Sequence, residues 1–302
     1  MFHYLQRTVA KPVHCTGIGM HSGKTVDLII APAPGNHGIK FSRTDLPESP
    51  SVTAHFHNVV DTSLATVIGH NGFIISTIEH LMACFAAFGI DNAAVSLNSY
   101  EMPIMDGSAA PFVDLIKTAG IVDQDKPRCY FVVTEAIELE QNEKFIGLYP
   151  APQFEITYSI DYDHPLIGHQ TCSLSFSEPV FETDVSRARS FGFIHEYEQL
   201  KQLGFSKGAS LENVVVLDTD QVMNPDGLRY PDEMVRHKML DCIGDFSLLG
   251  MPILGKIVAR KSGHAFHYEF LKKFFSNKNA WETQVLTQCP YESASELKSL
   301  AI

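Results

Sequence analysis

The chain has 302 residues, of which 45% are apolar and 19% charged, and its formal net charge at pH 7 is −12. This length allows a large buried core, and we expect two domains. The acidic balance argues against a nucleic-acid-binding surface, which would need a basic face. The sequence has no apolar run of about 18 residues and no signal-peptide pattern at its start, so we expect a cytoplasmic protein without an integral membrane segment.

The cysteines are scattered along the chain without a Cys-x-x-Cys pair. They are Cys15, Cys84, Cys129, Cys172, Cys242 and Cys289. This spacing disfavours both a disulfide framework and a cysteine-rich zinc module. We expect free thiols that lie mostly in the core.

Residues 14–25, HCTGIGMHSGKT, end like a phosphate-binding loop. The Walker pattern needs a glycine where Ile18 stands, and the dinucleotide-binding pattern needs one where Ser22 stands. We therefore expect a tight turn with an exposed His21 rather than a nucleotide site.

The order of strand, Pro-Ala-Pro and strand occurs twice, in residues 26–45 and 145–163. This repeat is weak evidence for an internal duplication with one copy in each half of the chain. The polar residues 122–128 are the best candidate for a linker between the copies. We predict one domain over residues 1–125 and another over residues 126–302.

Residues 76–88 predict a helix that is closed by Gly89. Ser76 and Glu79 have the spacing of a capping box, in which Glu79 satisfies the backbone at the helix start. His80, taken alone, is more often a hydrogen-bonded interior residue than a metal ligand. Glu79 and His80 become candidates for a functional site only because the later helix at residues 236–245 lacks a third metal ligand and a general base.

Strands and helices continue in both halves. In the first half we predict a strand at residues 93–98 and a helix at 110–120. In the second half we predict strands at 130–134, 145–149, 154–160, 213–218 and 253–259, and a helical stretch at about 186–202. His264 is placed at the mouth of a final helix.

The stretch RHKMLDCIGD, residues 236–245, carries His237, Asp241 and Asp245 on one face of a predicted helix. Imidazole and carboxylate groups four residues apart can hold one metal ion. A catalytic zinc usually takes three protein ligands and keeps a position for water, so this helix needs another ligand. Imidazole and carboxylate suit Zn²⁺ and Fe²⁺ alike, and the pattern leaves both metals open.

Six separated motifs, taken together and in order, are similar to those of one known family. They are SxxEHLxA (76–83), GIDNxxV (89–95), EMPIMDGSAAPF (101–112), SRARSFGF (186–193), NPDGLRYPDExVRHKMLDxIGD (224–245) and KSGHA (261–265). The chain resembles the UDP-3-O-acyl-N-acetylglucosamine deacetylases, which are zinc enzymes of the committed step of lipid A synthesis. The resemblance extends over nearly the whole chain.

The resemblance implies three zinc ligands, with Fe²⁺ as the alternative metal. These ligands are His80, His237 and Asp241. It also implies a general base at Glu79 and a catalytic histidine at His264, oriented by Asp245. A hydroxyl that stabilises the oxyanion falls on Ser190, where many family members carry threonine.

The substrate-binding candidates fall into two groups. Charge and stacking favour four residues for the diphosphate and uracil: Lys238, Phe191, Phe193 and Tyr162. The resemblance also implies an insert at about residues 193–222 that forms a passage for the acyl chain, lined by Ile194, Tyr197, Leu211 and Val216. Each group has a simpler alternative, since lysine is often a solvated charge and apolar residues are often ordinary core.

The family fold implied is α+β, with two similar domains in which a β-sheet is layered with α-helices. The helices would pack between the sheets, and the active site would lie at the domain interface. The implied reaction is hydrolysis of the 2-acetamido group of a UDP-sugar lipid by a monomeric protein, releasing acetate and UDP-3-O-acyl-glucosamine.

Two other interpretations stay open at this point. Another zinc amidase or sugar deacetylase would keep the metal ligands without needing the insert. A non-catalytic module would use the metal only to join two domains, although such sites are usually closed by four protein ligands. The chain has no HExxH motif, so the commonest zinc protease pattern is missing.

Overall fold

The computed structural model describes residues 3–286, so the predicted free thiol of Cys289 lies outside the described residues. The fold mixes α-helices and β-strands, as predicted, and most of the strands lie in two larger sheets. Among residues 3–286, no helix is long and apolar enough to cross a membrane. Cys84, Cys172 and Cys242 are buried, in agreement with the expected core thiols.

Among its described residues, the first half of the chain contains ten strands and two α-helices. They are β1 (Leu5–Val9), β2 (Val13–Ile18), β3 (Thr25–Pro32), β4 (Ile39–Arg43), β5 (Ser51–Thr53), β6 (Val59–Asp61), β7 (Val67–His70), β8 (Phe73–Ile75), α1 (Glu79–Ala87), β9 (Ala93–Leu97), α2 (Ala110–Ala119) and β10 (Ile121–Pro127). The predicted helix at 76–88 therefore begins three residues later than expected, and the positive φ of Gly89, 63°, follows its end.

The second half contains nine strands and four α-helices within the described residues. They are β11 (Cys129–Val133), β12 (Ile137–Gln141), β13 (Lys144–Tyr149), β14 (Phe154–Tyr162), β15 (Gly168–Ser175), α3 (Glu178–Val180), β16 (Phe191–Phe193), α4 (Ile194–Gln202), β17 (Val215–Leu217), α5 (Glu233–Phe246), β18 (Ile253–Arg260), α6 (His264–Ser276) and β19 (Trp281–Val285). The stretch predicted as helix at 186–202 is helical only from Ile194 onward, because a turn and strand β16 precede the helix. The strand predicted at 253–259 is not the last one, because β19 follows it.

Strand pairing follows the same scheme in both halves. In the first half, β9 lies between β3 and β4, antiparallel to β3 and parallel to β4. In the second half, β18 lies in the same way between β13 and β14. The outer partners also correspond, because β2 and β5 flank the first set and β12 and β15 flank the second. The strands on either side of each Pro-Ala-Pro are therefore separated by a strand from later in the chain.

The prediction of a linker at residues 122–128 is wrong. These residues lie mostly in strand β10, which pairs antiparallel with β1. The second half repeats this antiparallel pairing of its first and last described strands, with β19 antiparallel to β11. No side chain of β10 is fully buried, so its polar composition reflects an exposed two-stranded ribbon rather than an irregular connection. The predicted domain boundary falls inside this strand.

The turn at residues 19–23 supports part of the predicted insert. The backbone N–H groups of His21 and Ser22 donate to the buried carboxylate of Glu101, at 2.7 and 2.8 Å. The ring of His21 contacts Phe205 edge-on, and Gly208 N donates to Met20 O. His21 is therefore half-buried, and the prediction that it is exposed is wrong. The backbone N–H groups of this turn therefore bind a carboxylate of the protein itself rather than a phosphate.

Helices α1 and α5 cross at very short range. Gly244 of α5 lies against the backbone of Glu79, and an ideal Cβ on Gly244 would stand 2.1 Å from the carbonyl oxygen of Glu79. On both helices the apolar side chains at this crossing, such as Leu81 and Met239, are buried in one continuous core. Glycine at this position therefore permits the first turn of α1 to lie beside the middle of α5.

We predict that Gly244→Ala destabilises the protein by about 1 to 3 kcal/mol, because the added methyl group overpacks the crossing. In an ordinary helix the same change would gain about 1 kcal/mol from helix propensity. Gly192→Ala is the matched control, because a Cβ there meets nothing within 4 Å. Urea unfolding measures both variants. A Gly244→Ala protein as stable as the parent would contradict this account of the crossing.

Candidate active site

Three potential metal ligands come together where α1 meets α5. Their ligand atoms, from His80, His237 and Asp241, all lie within 4.8 Å of one another. Asp241 Oδ1 is 3.4 Å from His237 Nε2 and 3.7 Å from His80 Nε2. All three side chains are buried. The structure therefore assembles the predicted set from two helices that are more than 140 residues apart in sequence.

The chemistry of these three groups fits a divalent cation. His237 Nδ1 lies 3.1 Å from Ala188 O, so this nitrogen carries the hydrogen and the Nε2 lone pair faces Asp241. Burial and the nearby His237 lower the pKa of His80 to about 3, and burial also lowers the pKa of His237. Burial opposes ionisation of Asp241, but His237 and Lys238 outweigh it and hold its pKa well below the usual range. Two neutral imidazoles and one carboxylate are thus available as ligands.

A second cluster of similar composition is engaged in hydrogen bonds. Asp245, His264 and His267 also place their ligand atoms within 4.8 Å of one another. However, Nδ1 of His264 and Nδ1 of His267 each lie 2.7 Å from Asp245 Oδ2. A carboxylate can only accept, so both nitrogens carry hydrogen and have no lone pair for a metal. This cluster is a hydrogen-bonded network beside the candidate metal site.

Glu79 points across the site instead of capping its helix. The predicted capping box is wrong, because Ile78 is the N-cap of α1 and Ser76 N donates to Tyr100 O. Glu79 Oε2 instead accepts a hydrogen bond from Thr66 N at 3.1 Å. Burial raises the pKa of Glu79 to about 7, even though the His264 cation lowers it. A carboxylate with this pKa can take up a proton near neutral pH.

His264, the first residue of α6, faces Glu79 and the candidate metal ligands. Its Nε2 is 3.9 Å from Glu79 Oε1 and 3.9 Å from Asp241 Oδ2. Burial lowers the pKa of His264, but the carboxylate of Asp245, followed by those of Glu79 and Asp241, outweighs it and raises the pKa to about 9. The imidazole is therefore a cation at neutral pH and can donate a proton from Nε2.

Lys238 is held inside the site rather than solvated. Its Nζ donates to Asp241 Oδ2 at 3.0 Å and lies 5.9 Å from the centroid of the Phe191 ring. Burial lowers the pKa of Lys238, but Asp241 outweighs burial and raises it overall. The lysine is therefore a fixed positive charge at one side of the metal ligands.

The three predicted aromatic residues form one cluster next to Lys238. The Tyr162 ring lies 5.8 Å from Phe191 and 5.9 Å from Phe193, measured between centroids. Phe191 in turn lies 6.3 Å from the ring of His237. The cluster thus leads away from the candidate metal site along strand β16.

The structure places the remaining predicted residues less closely together. Ser190 is half-buried, and among its hydrogen bonds in the described chain only the backbone takes part, with Gly107 O and Val215 N. Val216 pairs with Gly192 in the two parallel strands β16 and β17. Ile194, Tyr197 and Leu211 lie in the predicted insert, and its helix α4 has no buried residue. Ile194 and Leu211 are about two-fifths exposed (40% and 44%).

Sequence reasoning missed two residues of the site, Thr66 and His267. His267 stands three residues after His264 in a predicted helix, so the i, i+3 spacing could have indicated that both imidazoles share a face. Thr66 precedes strand β7 in a segment without a recognisable motif, and nothing in the sequence connects it with the other site residues.

Comparison with known proteins identifies the family of the chain. A family model described as "LpxC: UDP-3-O-acyl N-acetylglycosamine deacetylase" matches residues 6–276. The chain belongs to this family. The resemblance predicted from the LpxC motifs is therefore confirmed.

The chain is also similar to individual LpxC proteins. It is 47% identical over 279 residues to the UDP-3-O-acyl-N-acetylglucosamine deacetylase of Myxococcus xanthus, which covers 92% of this chain and 89% of the relative. It is 44% identical to the proteins of the same name from Chromobacterium violaceum and Coxiella burnetii, with 92% of each chain covered in both alignments. The range matched by the family model, residues 6–276, includes all the residues of the candidate site.

We predict that Asp241→Asn weakens binding of a divalent metal by more than about a hundredfold, since even the hydrogen-bond partners of metal ligands contribute about tenfold to a hundredfold. Asp245→Asn, one helical turn further along α5, should retain the metal and serves as the matched control. The measurement is the metal content of reconstituted protein after gel filtration. Metal loss in Asp245→Asn but not in Asp241→Asn would place the ion at the second cluster.

Proposed function

We propose that this chain hydrolyses the 2-acetamido group of UDP-3-O-acyl-N-acetylglucosamine in lipid A biosynthesis. The products would be acetate and UDP-3-O-acyl-glucosamine. The observation that carries the proposal is the buried set of three ligands with Glu79 and His264 on one side of it. Membership of the LpxC family, whose members carry the name of this deacetylase, supports the choice of substrate.

We propose that the two halves are two similar domains, residues 1–125 and 126–302, with the active site between them. The repeated pairing of β3, β9 and β4 and of β13, β18 and β14 supports this division. The site draws Glu79 and His80 from the first half and His237, Asp241 and His264 from the second. The helices α1 and α5, which carry most of these residues, pack directly on each other. A cytoplasmic location and a monomeric state stay predictions.

The metal would be Zn²⁺, with Fe²⁺ as the alternative, held by His80, His237 and Asp241. Bound in this way, the ion would lower the pKa of water and polarise the acetamido carbonyl group. Lys238 Nζ donates to Asp241 Oδ2 at 3.0 Å. This hydrogen bond would keep the Asp241 carboxylate oriented and ionised.

Glu79 and His264 would share the proton transfers. Glu79, as general base, takes a proton from the attacking water at a carboxylate that burial has made more basic. His264, as a cation, offers its Nε2 proton to the oxyanion or to the departing amine from the opposite side of the same gap. Both pKa values are raised, that of Glu79 to about 7 and that of His264 to about 9, so a carboxylate base and an imidazolium acid coexist near neutral pH.

The oxyanion would be stabilised by His264 together with the hydroxyl of Ser190. Donors of this kind contribute about 3 to 4 kcal/mol each when they are fixed in advance. Ser190 follows Arg189, which forms a buried ion pair with Glu233 at 2.8 Å. This ion pair fixes the backbone of the segment, while the serine rotamer is less restricted than that of the threonine found in many members.

The substrate would extend from the metal site over the aromatic cluster to the insert. Lys238 would bind a phosphate, and Tyr162, Phe191 and Phe193 would stack with uracil or sugar. The insert at about residues 193–222 would hold the acyl chain, lined by Ile194, Tyr197, Leu211 and Val216. Its exposed apolar side chains, with Leu203 73% exposed, favour an acylated substrate over the unacylated sugar nucleotide of the alternative sugar deacetylase.

We predict that metal-loaded protein releases acetate from UDP-3-O-acyl-N-acetylglucosamine and that a chelator abolishes this release. Unacylated UDP-N-acetylglucosamine, tested in parallel, should react at least about a hundredfold more slowly, because burial of several acyl methylenes contributes about 0.8 kcal/mol each. Equal rates on both substrates would favour another sugar deacetylase. No turnover of either substrate would contradict the proposed activity.

A further inference from the structure

The carboxylate of Asp245 is held by three side chains from two segments, the residue before β7 and the first turn of α6. Thr66 Oγ1 donates to its Oδ1, while Nδ1 of His264 and Nδ1 of His267 donate to its Oδ2 at 2.7 Å each. Asp245 is 3% exposed, so these contacts are not shared with bulk water. The proposed chemistry uses only His264 of the three. The other two therefore need a separate explanation.

Thr66 connects the two carboxylates of the proposed proton-transfer system. Its backbone N–H donates to Glu79 Oε2 at 3.1 Å, and its hydroxyl donates to Asp245 Oδ1. Its carbonyl oxygen accepts from Thr77 N at 3.1 Å, immediately before α1. Thr66 is 2% exposed. One residue of the first half thus fixes the start of α1, the base and the carboxylate behind His264.

His267 supports Asp245 from the opposite side. Its ring is fully buried, and its Nε2 lies 3.0 Å from Ser262 Oγ and 3.4 Å from Tyr158 OH. Tyr158 OH donates to the backbone carbonyl of Ser262 and accepts from Ser262 Oγ, both at 2.8 Å, which fixes this pair of hydroxyl groups. Because Nε2 faces these hydroxyls, the Nδ1 hydrogen of His267 is directed at Asp245. The imidazole therefore bridges the buried hydroxyls and the carboxylate.

We propose that Thr66 and His267 are positioning residues for the deacetylation, acting together as a clamp on Asp245. The Asp245 clamp consists of these two side chains and the carboxylate between them. By fixing both oxygens of Asp245, it fixes the plane of the His264 ring and keeps Nε2 directed into the gap shared with Glu79. This inference rests on the proposed function, since the reaction is what the orientation of His264 serves.

The hydrogen bond between His264 and Asp245 cannot by itself fix the imidazole of His264, because the ring turns whenever the Asp245 carboxylate turns. If Asp245 rotated about its side-chain bonds, His264 Nε2 would move away from its position 3.9 Å from Glu79 Oε1. Displacements of about 1 Å in reacting groups cost about a hundredfold in rate. Substrate contacts made elsewhere would be unaffected. The clamp should therefore act on kcat and not on KM.

Thr66→Val tests the first arm of the clamp, because valine keeps the shape and the backbone bonds but lacks the hydroxyl. We expect kcat to fall about tenfold to a hundredfold with KM changed by less than about threefold. Thr66→Ser restores the hydroxyl and should recover most of kcat. If serine lowers kcat as much as valine does, the hydroxyl alone does not account for the effect of Thr66 and the clamp is overturned.

His267→Asn and His267→Gln test the second arm as a matched pair. Asparagine can place an N–H where the imidazole carries Nδ1, whereas glutamine reaches toward the position of Nε2. We expect His267→Asn to retain most of kcat and His267→Gln to lose about tenfold to a hundredfold, with bound metal unchanged in both. The reverse order would show that the contact with Ser262 matters and not the contact with Asp245.

A double-mutant cycle and a spectroscopic readout separate this inference from the proposed function. In an Asp245→Asn background, Thr66→Val and His267→Gln should have little further effect on kcat, and full additivity would overturn the clamp. In the nuclear magnetic resonance spectrum of the metal-free parent, we expect two slowly exchanging downfield imidazole N–H signals, of which His267→Asn removes one. These signals in a protein without turnover would uphold the clamp and refute the deacetylase. Their absence in the parent would refute the clamp itself.

Discussion

The close crossing of α1 and α5 is the constraint on which the rest of the site depends. It is possible because Gly244 has no side chain where the backbone of Glu79 passes. The crossing brings His80 within reach of Asp241 and places Glu79 across from His264. Since each half repeats the same order of a helix before its inserted strand, the two helices that meet are corresponding elements of the repeat. The site is thus built where the two copies contact each other.

Burial of several charges in this small volume determines their protonation. Glu79, Asp241 and Asp245 are all buried, and a buried carboxylate is stable only with partners. Asp241 has His237 and Lys238, and Asp245 has His264 and His267, so both stay ionised. Glu79 has a backbone N–H and a more distant imidazole, so its pKa rises to about 7. The same burial therefore produces a stable anion at one position and a base near neutrality at another.

Sequence reasoning found the parts of the site that local spacing determines. His237, Asp241 and Asp245 follow from the i, i+4 geometry of one helix, whereas His80 became a ligand candidate only through the family motifs. The capping box at Ser76 failed because a tertiary contact with Thr66 N holds Glu79 more effectively than the helix start does. Residues 122–128 were misread because an exposed ribbon strand is as polar as a linker. No sequence motif marks Thr66 as a site residue, because its role depends entirely on contacts with residues far away in sequence.

The most direct test of the account is Glu79→Gln, assayed for bound metal and for acetate release in the same preparation. The substitution keeps the shape of the side chain but removes the base, so we expect metal content equal to that of the parent and a loss of kcat of at least about a hundredfold. Glu143→Gln, at an exposed position, is the control and should leave both unchanged. Loss of metal together with activity would make Glu79 a structural part of the metal site. Full activity with metal bound would contradict the assignment of the base.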